Sequence, residues 1–226
     1  MKRHNLATRL WHWTNLVALV VLFMSGLNIS NAHRYLYWGD YGFDPADAWT
    51  SVVRFPGWAT IPGYYSLAKA RDWHTLAAWV FALALLFGWI ALLLTRHFQR
   101  DVMTSRREWR PANLWRDIVD HAKLKFDNHR GKYNTLQKIS YGAVYGVMLP
   151  MMIFTGIAIS PGAEPYWSWA MDLMGGRQSA RSLHFIFAWI IFGFFVVHVL
   201  LVLVTGPVKQ IRAMITGGRQ EDFEHD

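Results

Sequence analysis

The chain of 226 residues contains no cysteine, and this absence excludes several kinds of redox site. Iron–sulfur clusters, thiolate-bound metals and covalently attached c-type haem all require cysteine sulfur. Acidic residues are also few, with 15 Asp and Glu against 23 Lys and Arg, which gives a net charge of +8. Any redox chemistry in this chain therefore requires a cofactor that binds without a covalent bond to the protein.

The excess of positive charge follows the pattern of membrane topology. Three Lys and Arg precede the first long apolar run, 11 lie at residues 96–138 and three follow the last run, so that 17 of the 23 fall on one side. By the positive-inside rule we expect both termini and the second loop in the cytoplasm. The basic loop around Arg106, Arg107 and Arg110 then determines topology beside anionic membrane lipid, and we expect no nucleic-acid partner.

Four apolar runs have the length of about 20 residues that crosses a hydrocarbon core of about 30 Å. They lie near residues 10–30, 73–95, 139–160 and 183–205. This pattern predicts an all-α integral membrane protein, a four-helix bundle that forms a single membrane domain over residues 1–226. An outer loop at 31–72 and a cytoplasmic loop at 96–138 connect the helices. Residues 31–33 form a poor cleavage site for a signal peptide, so we expect the first helix to be retained.

Two histidines, His184 and His198, lie fourteen residues apart in the last apolar run. At about 1.5 Å per residue this spacing is about 21 Å, close to four full helical turns, so both rings lie on one face. A polar ring in hydrocarbon is costly and usually functional. The spacing is the geometry of two stacked haems that share one helix.

Partner histidines occur near the starts of the first two runs, at His12 and His74, whereas the third run has no histidine. With alternating helix directions, His74 and His184 share the outer level, and His12 and His198 share the inner level. These residues therefore predict the axial iron ligands of two haem b groups. The alternative is a haem-free structural anchor with four hydrogen-bonded interior histidines. We expect the other six to be solvated surface residues: His4, His33, His97, His121, His129 and His225.

Two glycines repeat the same spacing, because Gly26 follows His12 by fourteen residues and Gly88 follows His74 by fourteen. A flat macrocycle that approaches a helix backbone needs a position without a side chain. We therefore predict Gly26 and Gly88 as haem-contacting positions. The alternative is close helix packing, for which glycine is common in membrane helices.

Two arginines, Arg9 and Arg181, each lie three residues before a proposed ligand and hence on nearly the same helical face. The planar guanidinium group donates two hydrogen bonds to a carboxylate at once. Both residues are therefore predicted to pair with haem propionates. Arginines in such positions also serve as interfacial anchors, which is the alternative.

These features together resemble a family: the di-haem cytochrome b subunits that anchor bacterial formate dehydrogenases, nickel–iron hydrogenases and thiosulfate reductase-like complexes. The matching segments are RLWHW at 9–13, the histidine at 74, NTLQK at 134–138, RSLH at 181–184 with the histidine at 198, and MITG at 214–217. The resemblance implies a multi-pass protein of the bacterial inner membrane. It also implies electron transfer from an outer-face partner through the outer and inner haems to ubiquinone or menaquinone.

The resemblance further implies a quinone site near the inner haem, at an asparagine that opens the third helix and corresponds here to Asn134. The side chains of Asn134, Gln137 and Lys138 are donors at a membrane interface. A quinone needs such donors at its carbonyl oxygens, and a proton route, as two electrons arrive. The alternative is an ordinary helix start, with Asn134 near the N-cap and Lys138 snorkelling to the interface.

The outer loop contains ten aromatic residues and three prolines between residues 31 and 72. Unstructured linkers are poor in aromatics, so we expect a folded cap or docking surface. The expected partner is a periplasmic molybdenum oxidoreductase, a hydrogenase-like subunit or a c-type cytochrome. We thus predict the quinone-reactive subunit of an oxidoreductase complex. The alternative is a stand-alone superoxide:quinone oxidoreductase on the same scaffold, which a positively charged outer pocket would favour.

Overall fold

The computed structural model describes residues 6–94, 104, 108–122 and 135–218. In these residues the chain forms eight α-helices and a short antiparallel hairpin. The helices are α1 Leu6–Ala32, α2 Leu67–Leu94, α3 Pro111–Ala122, α4 Thr135–Ala143, α5 Leu149–Ile159, α6 Glu164–Leu173, α7 Arg177–Val204 and α8 Pro207–Thr216. A π-helical turn, Val144–Met148, joins α4 to α5. The hairpin pairs β1 Tyr35–Leu36 with β2 Thr50–Ser51.

In the part of the chain that the structure describes, four helical segments are long and apolar enough to cross a membrane: α1, α2, the combined helix Thr135–Ile159 and α7. This confirms the predicted all-α membrane class. The segments contain 25 to 28 residues each and begin four to six residues before the predicted boundaries. Hydropathy marks only the part of a helix that matches the lipid core, whereas the hydrogen-bonded helix also includes polar residues such as Lys69 and Arg71.

The surfaces of these segments are apolar, and their most buried side chains are polar or small. Phe87, Leu93 and Leu203 are 55–73% exposed, whereas Ser25 and Thr155 are fully buried. Contiguous apolar exposure of this extent is uncommon on soluble proteins. Lipid replaces water around such helices, and their contacts with each other use small and hydroxyl-bearing residues.

The described residues belong to two compact units, Met1–Leu85 with Ile153–Asp226, and Leu86–Met152. The first unit contains α1, most of α2, the end of α5 and all of α6, α7 and α8. All four predicted histidine ligands lie in this unit. The second unit contains the end of α2, α3, α4 and the π-helical turn.

The outer loop is folded, and two asparagines at the end of α1 organise its second half. The Asn28 amide donates to the backbone carbonyl oxygens of Tyr64, at 2.8 Å, and Pro62, at 3.1 Å. The Asn31 side chain makes a two-way pair with the Phe55 backbone, donating at 3.0 Å and accepting at 2.8 Å. Side-chain amides that pair with the backbone in this way fix the path of a loop.

The first half of the loop is tied to the start of α7. The backbone N–H groups of Gln178 and Ser179 donate to the Gly39 carbonyl at 3.0 and 3.1 Å. The Trp49 indole N–H donates to the Ser182 hydroxyl at 2.9 Å, and that hydroxyl donates to the Tyr37 carbonyl at 2.7 Å. The loop thus satisfies two N–H groups that a helix start leaves without partners, and it contacts Ser182, two residues before His184.

Candidate haem sites

The outer pair consists of His74 on α2 and His184 on α7. Their ring centres are 6.2 Å apart and their planes are inclined by 62°. A metal–imidazole bond is about 2.0 Å and the ring centre lies about 1.1 Å behind the nitrogen, so two rings on one metal have centres about 6.2 Å apart. The observed spacing therefore fits one iron atom between the two rings.

The inner pair consists of His12 on α1 and His198 on α7. These ring centres are 6.4 Å apart, with an interplanar angle of 54°, which fits the same arrangement. The two pairs share α7, where fourteen residues of helix separate them by about 21 Å. The structure thus brings together the same two pairs that the helix directions predict.

A serine on α1 orients the His74 ring. The Ser25 hydroxyl lies 2.9 Å from His74 Nδ1 and donates its own hydrogen to the Val21 carbonyl at 2.6 Å. Because that hydrogen is used, the Ser25 oxygen accepts from His74 Nδ1–H. The proton is then on Nδ1, and the lone pair of Nε2 is available for a metal.

A threonine on α5 occupies the corresponding position beside His184. Thr155 Oγ1 lies 2.8 Å from His184 Nδ1, and Thr155 is fully buried. Metal-bound histidines generally donate their second ring N–H to such a partner, which fixes the ring orientation and tautomer. Sequence reasoning missed both hydroxyl residues.

A glycine follows each of these hydroxyl residues and lies against the same ring. A methyl group at Gly26 would lie 3.6 Å from His74 Cε1, and one at Gly156 would lie 3.3 Å from His184 Cε1. Gly26 is therefore at the outer level, where its spacing from His12 predicts it. Gly156 was missed, because the third helix has no histidine from which to count.

An internal repeat in the sequence distinguishes the hydroxyl residues and the glycine that were missed. The segments SGLNIS at 25–30 and TGIAIS at 155–160 match in the first and third spans, and RDWHTLAAW at 71–79 matches RSLHFIFAW at 181–189 in the second and fourth. Each half of the chain thus pairs one hydroxyl–glycine segment with one outer histidine. In this alignment Gly142 corresponds to His12, and Gly88 corresponds to His198.

The inner site differs in the groups around its rings. His12 and the indole of Trp13 meet edge to face with centres 5.4 Å apart, and Phe194 stacks on His198 at 6.3 Å with planes 17° apart. Among the described residues, the Arg9 Nε is a buried atom without a hydrogen-bond partner. It lies one turn before His12, where a guanidinium donor matches a haem propionate.

Basic residues cluster near the outer pair. Arg181 donates to the Gln178 side-chain oxygen at 2.7 Å and lies within electrostatic range of Arg71 and Arg177. Arg71 precedes His74 by three residues, the same spacing as between Arg181 and the other outer ligand. Both guanidinium groups are thus one turn from an outer ligand, and Arg71 was missed in the sequence.

A third arginine and a histidine complete this cluster. Arg177 pairs with the Glu164 carboxylate. His33 is half-buried, which differs from the predicted solvated position, because the folded outer loop covers the end of α1. Burial lowers the pKa of His33, and the charges of Arg181 and Arg71 lower it further. The ring is therefore neutral near pH 7, and the positive charge of the cluster comes from its arginines.

The remaining predicted residues lie in the second unit or outside the described part of the chain. Gly88 is in α2 and Gln137 is in α4. Lys138 Nζ forms an ion pair with Glu108 Oε1 at 2.8 Å, and both side chains are mostly buried. The predicted quinone-binding Asn134 lies outside the described residues.

Comparisons with known proteins agree with this geometry. A Cupriavidus necator protein described as a Ni/Fe-hydrogenase B-type cytochrome subunit is 25% identical over 93% of this chain and 83% of its own length. An Azospira oryzae protein described as subunit YedZ1 of a protein-methionine-sulfoxide reductase is 26% identical over 92% of this chain and 93% of its own. Residues 3–217 match the model of a family described as prokaryotic cytochrome b561. The chain therefore belongs to the prokaryotic cytochrome b561 family, whose members are membrane electron-transfer proteins.

Proposed function

We propose that this cytochrome b561-type membrane electron-transfer protein holds two haem b groups and connects an outer redox partner to the membrane quinone pool. The observation that carries the proposal is that two histidines of α7 each face a histidine of another helix. The ring centres are 6.2 Å apart in one pair and 6.4 Å apart in the other. Both distances fit an iron atom with two imidazole ligands. Two such sites at different depths provide a route for electrons across the membrane.

The chain contributes ligands, orientation and charge to each site. His74 and His184 hold the outer haem, and His12 and His198 hold the inner one. When bound, each haem supplies a one-electron iron couple, whose potential depends on its ligands and surroundings. Arg9 at the inner level and Arg181 at the outer level donate to the haem propionates, which neutralises carboxylates near the membrane interfaces.

The expected direction of transfer follows from topology. With both termini in the cytoplasm, the outer pair faces the periplasm and the inner pair faces the cytoplasm. Quinone binding is assigned by resemblance to the start of the third span, at Asn134, Gln137 and Lys138. Donors at that end would bind the quinone oxygens and let protons enter from the cytoplasm. Electron transfer inwards then moves charge across the bacterial inner membrane.

The outer loop is the proposed contact for the partner subunit. It is folded, it is attached to the helix that carries His184, and it exposes aromatic side chains such as Tyr41 and Phe43, which are 77% and 88% exposed. The relatives described as hydrogenase and methionine-sulfoxide-reductase subunits support an oxidoreductase partner. A periplasmic molybdenum oxidoreductase, a hydrogenase-like subunit or a c-type cytochrome fits this position.

Reconstitution in sealed vesicles tests the quinone link and its side. With an impermeant reductant outside and quinone in the membrane, we expect quinone reduction together with a membrane potential. Asn134→Ala should slow reoxidation of the haems by quinone in stopped-flow measurements while the haem spectra and haem content stay unchanged. Quinone turnover without a membrane potential would place the quinone site on the outer side and contradict the assignment.

The basic cluster near the outer pair favours a second candidate, a superoxide:quinone oxidoreductase. Arg71 and Arg181 would attract the superoxide anion towards the outer haem. Each superoxide would lose one electron and leave as O₂, and two electrons with two protons would reduce one quinone. Superoxide should then reduce the haems without any partner protein, more slowly in Arg71→Gln than in the exposed control Lys69→Gln. Equal rates in both variants would contradict this candidate.

A further inference from the structure

The short helix α8 turns an apolar stripe away from the rest of its unit. It begins at Pro207, three residues after α7 ends at Val204. Val208, Ile211 and Ile215 are 79%, 44% and 56% exposed, and their spacing of three and four residues puts them on one face. A helix with an exposed apolar stripe directly after a membrane span matches one that lies in the lipid interface.

Two shallow apolar grooves lie on either side of Ile215. The first, of about 400 Å³, follows α8 and is lined by Pro207, Val208, Ile211, Arg212, Ile215 and Thr216. The second, of about 430 Å³, is lined by Leu6, Arg9, Leu10, Trp13, Met214 and Ile215. Both therefore have apolar walls and one arginine each. This arrangement suits a molecule with two apolar chains and a negatively charged head.

Among the described residues that line the grooves, the charged side chains are the two arginines. The sequences of α1 and α8 contain no acidic residue, whereas Arg212 lines the first groove and Lys209 lies nearby on α8. The positive-inside rule puts this end of α7 at the cytoplasmic leaflet, whose lipids include anionic headgroups. We propose that α8 binds an anionic phospholipid, with its acyl chains in the two grooves and its phosphate on Arg212.

The position of α8 gives this lipid a structural consequence. The Trp13 indole N–H donates to the Met214 carbonyl at 3.2 Å, so α8 is attached to α1 one residue after His12. A lipid that covers both grooves buries Ile215 and holds α8 in this place. Bound anionic lipid therefore stabilises the cytoplasmic end of the first unit.

The test uses the full chain in bilayers of phosphatidylcholine with phosphatidylglycerol. After extraction in mild detergent, the lipids that remain bound are identified by native mass spectrometry. We expect phosphatidylglycerol to be enriched over phosphatidylcholine relative to the bilayer. Arg212→Gln should lower this enrichment about tenfold, because it removes a charge-assisted hydrogen bond to the phosphate, which contributes about 1.5 kcal/mol.

Lys209→Gln is the matched control, because it removes the same charge from the same helix but does not line a groove. It should keep most of the enrichment, and Ile215→Ser should reduce retention of both lipids. Thermal unfolding followed by circular dichroism checks that each variant folds, and phosphatidylglycerol should raise the unfolding temperature of the wild type more than that of Arg212→Gln. Equal losses in Lys209→Gln and Arg212→Gln would show diffuse attraction and overturn the proposal, as would a wild type without enrichment.

Discussion

The outer and inner histidine pairs have nearly the same ring spacing but are held by different interactions. At the outer pair, hydroxyl groups lie 2.9 Å from His74 Nδ1 and 2.8 Å from His184 Nδ1. At the inner pair, aromatic rings contact His12 and His198. The comparison shows that a similar ring spacing occurs beside hydroxyl groups at one pair and beside aromatic rings at the other.

This difference has consequences for how each site responds to change. A hydrogen bond to Nδ1 fixes both the rotation and the tautomer of an imidazole before a cofactor binds, whereas an aromatic contact limits only the rotation. We therefore expect the outer site to depend on its two hydroxyl groups. The inner site should depend on the side chains packed around its rings and on Arg9.

The largest effect should come from removing one ligand of either pair. His74→Ala leaves the outer haem with one imidazole, and we expect it to lose that haem and keep the inner one. His12→Ala should give the opposite result. Redox titration followed by optical difference spectra measures which component remains. Loss of both haems in each folded variant would show that the two sites are not independent.

Removing a hydroxyl should weaken the outer site alone. Thr155→Val keeps the shape of the side chain, and Ser25→Ala removes the partner of His74. Loss of such a partner typically costs about 10–100-fold in affinity for the bound group, so outer-haem affinity should fall by this factor. Haem titration of the apoprotein provides the measurement.

Ser30→Ala is the control for these two variants, because the Ser30 hydroxyl donates to the Gly26 carbonyl at 3.0 Å and lies five residues beyond Ser25 on the same helix. It should leave both haem affinities unchanged. If Thr155→Val bound the outer haem as tightly as Ser30→Ala does, the hydroxyl would have no orienting role. The contrast between the two sites would then fail.

Substitutions of the two glycines of the outer site test the geometry around its histidines. A methyl group at Gly156 would lie 3.3 Å from His184 Cε1, which forces the ring to shift, whereas one at Gly26 would meet His74 at an ordinary 3.6 Å. Gly156→Ala should therefore shift the outer-haem potential and spectrum more than Gly26→Ala. A larger shift in Gly26→Ala than in Gly156→Ala would show that contact with the haem macrocycle, and not with the imidazole ring, limits the space beside these glycines.

The smallest effect is expected at the inner ring stack. Phe194→Leu removes the aromatic contact with His198 but keeps an apolar side chain, so inner-haem affinity should fall only slightly. Aromatic pairs contribute about 0.5–1.5 kcal/mol beyond the area they bury. Haem titration should show no change at the outer site. A larger loss at the outer site than at the inner one would contradict the assignment of this contact.

The sequence carried enough information for the spans and the histidine pairs. The fourteen-residue spacing on α7 and the alternating helix directions already match His74 with His184 and His12 with His198. Hydropathy also located the four spans, although it could not reveal where each helix begins. Polar first turns such as that of α2 lie outside the hydrocarbon and give no apolar signal.

The contacts of the two hydroxyl groups and the fold of the outer loop could not be predicted from the sequence, for separate physical reasons. A serine in an apolar helix usually donates to the carbonyl one turn earlier, and Ser25 does so, which hides its second contact with His74. Only the repeat that matches residues 25–30 with 155–160 distinguishes Ser25 from other serines in apolar helices. The loop depends on contacts between distant residues, such as Trp49 with Ser182, which no local pattern encodes.

The central claim is that α7 carries one ligand for each of two haems, and haem content per chain tests it most directly. Pyridine haemochrome analysis of protein produced with excess haem should give two non-covalent b haems per wild-type chain. His184→Ala and His198→Ala should each give one, and the double variant should give none. A wild type that saturates at one haem, or a His198→Ala variant that keeps two, would contradict the account.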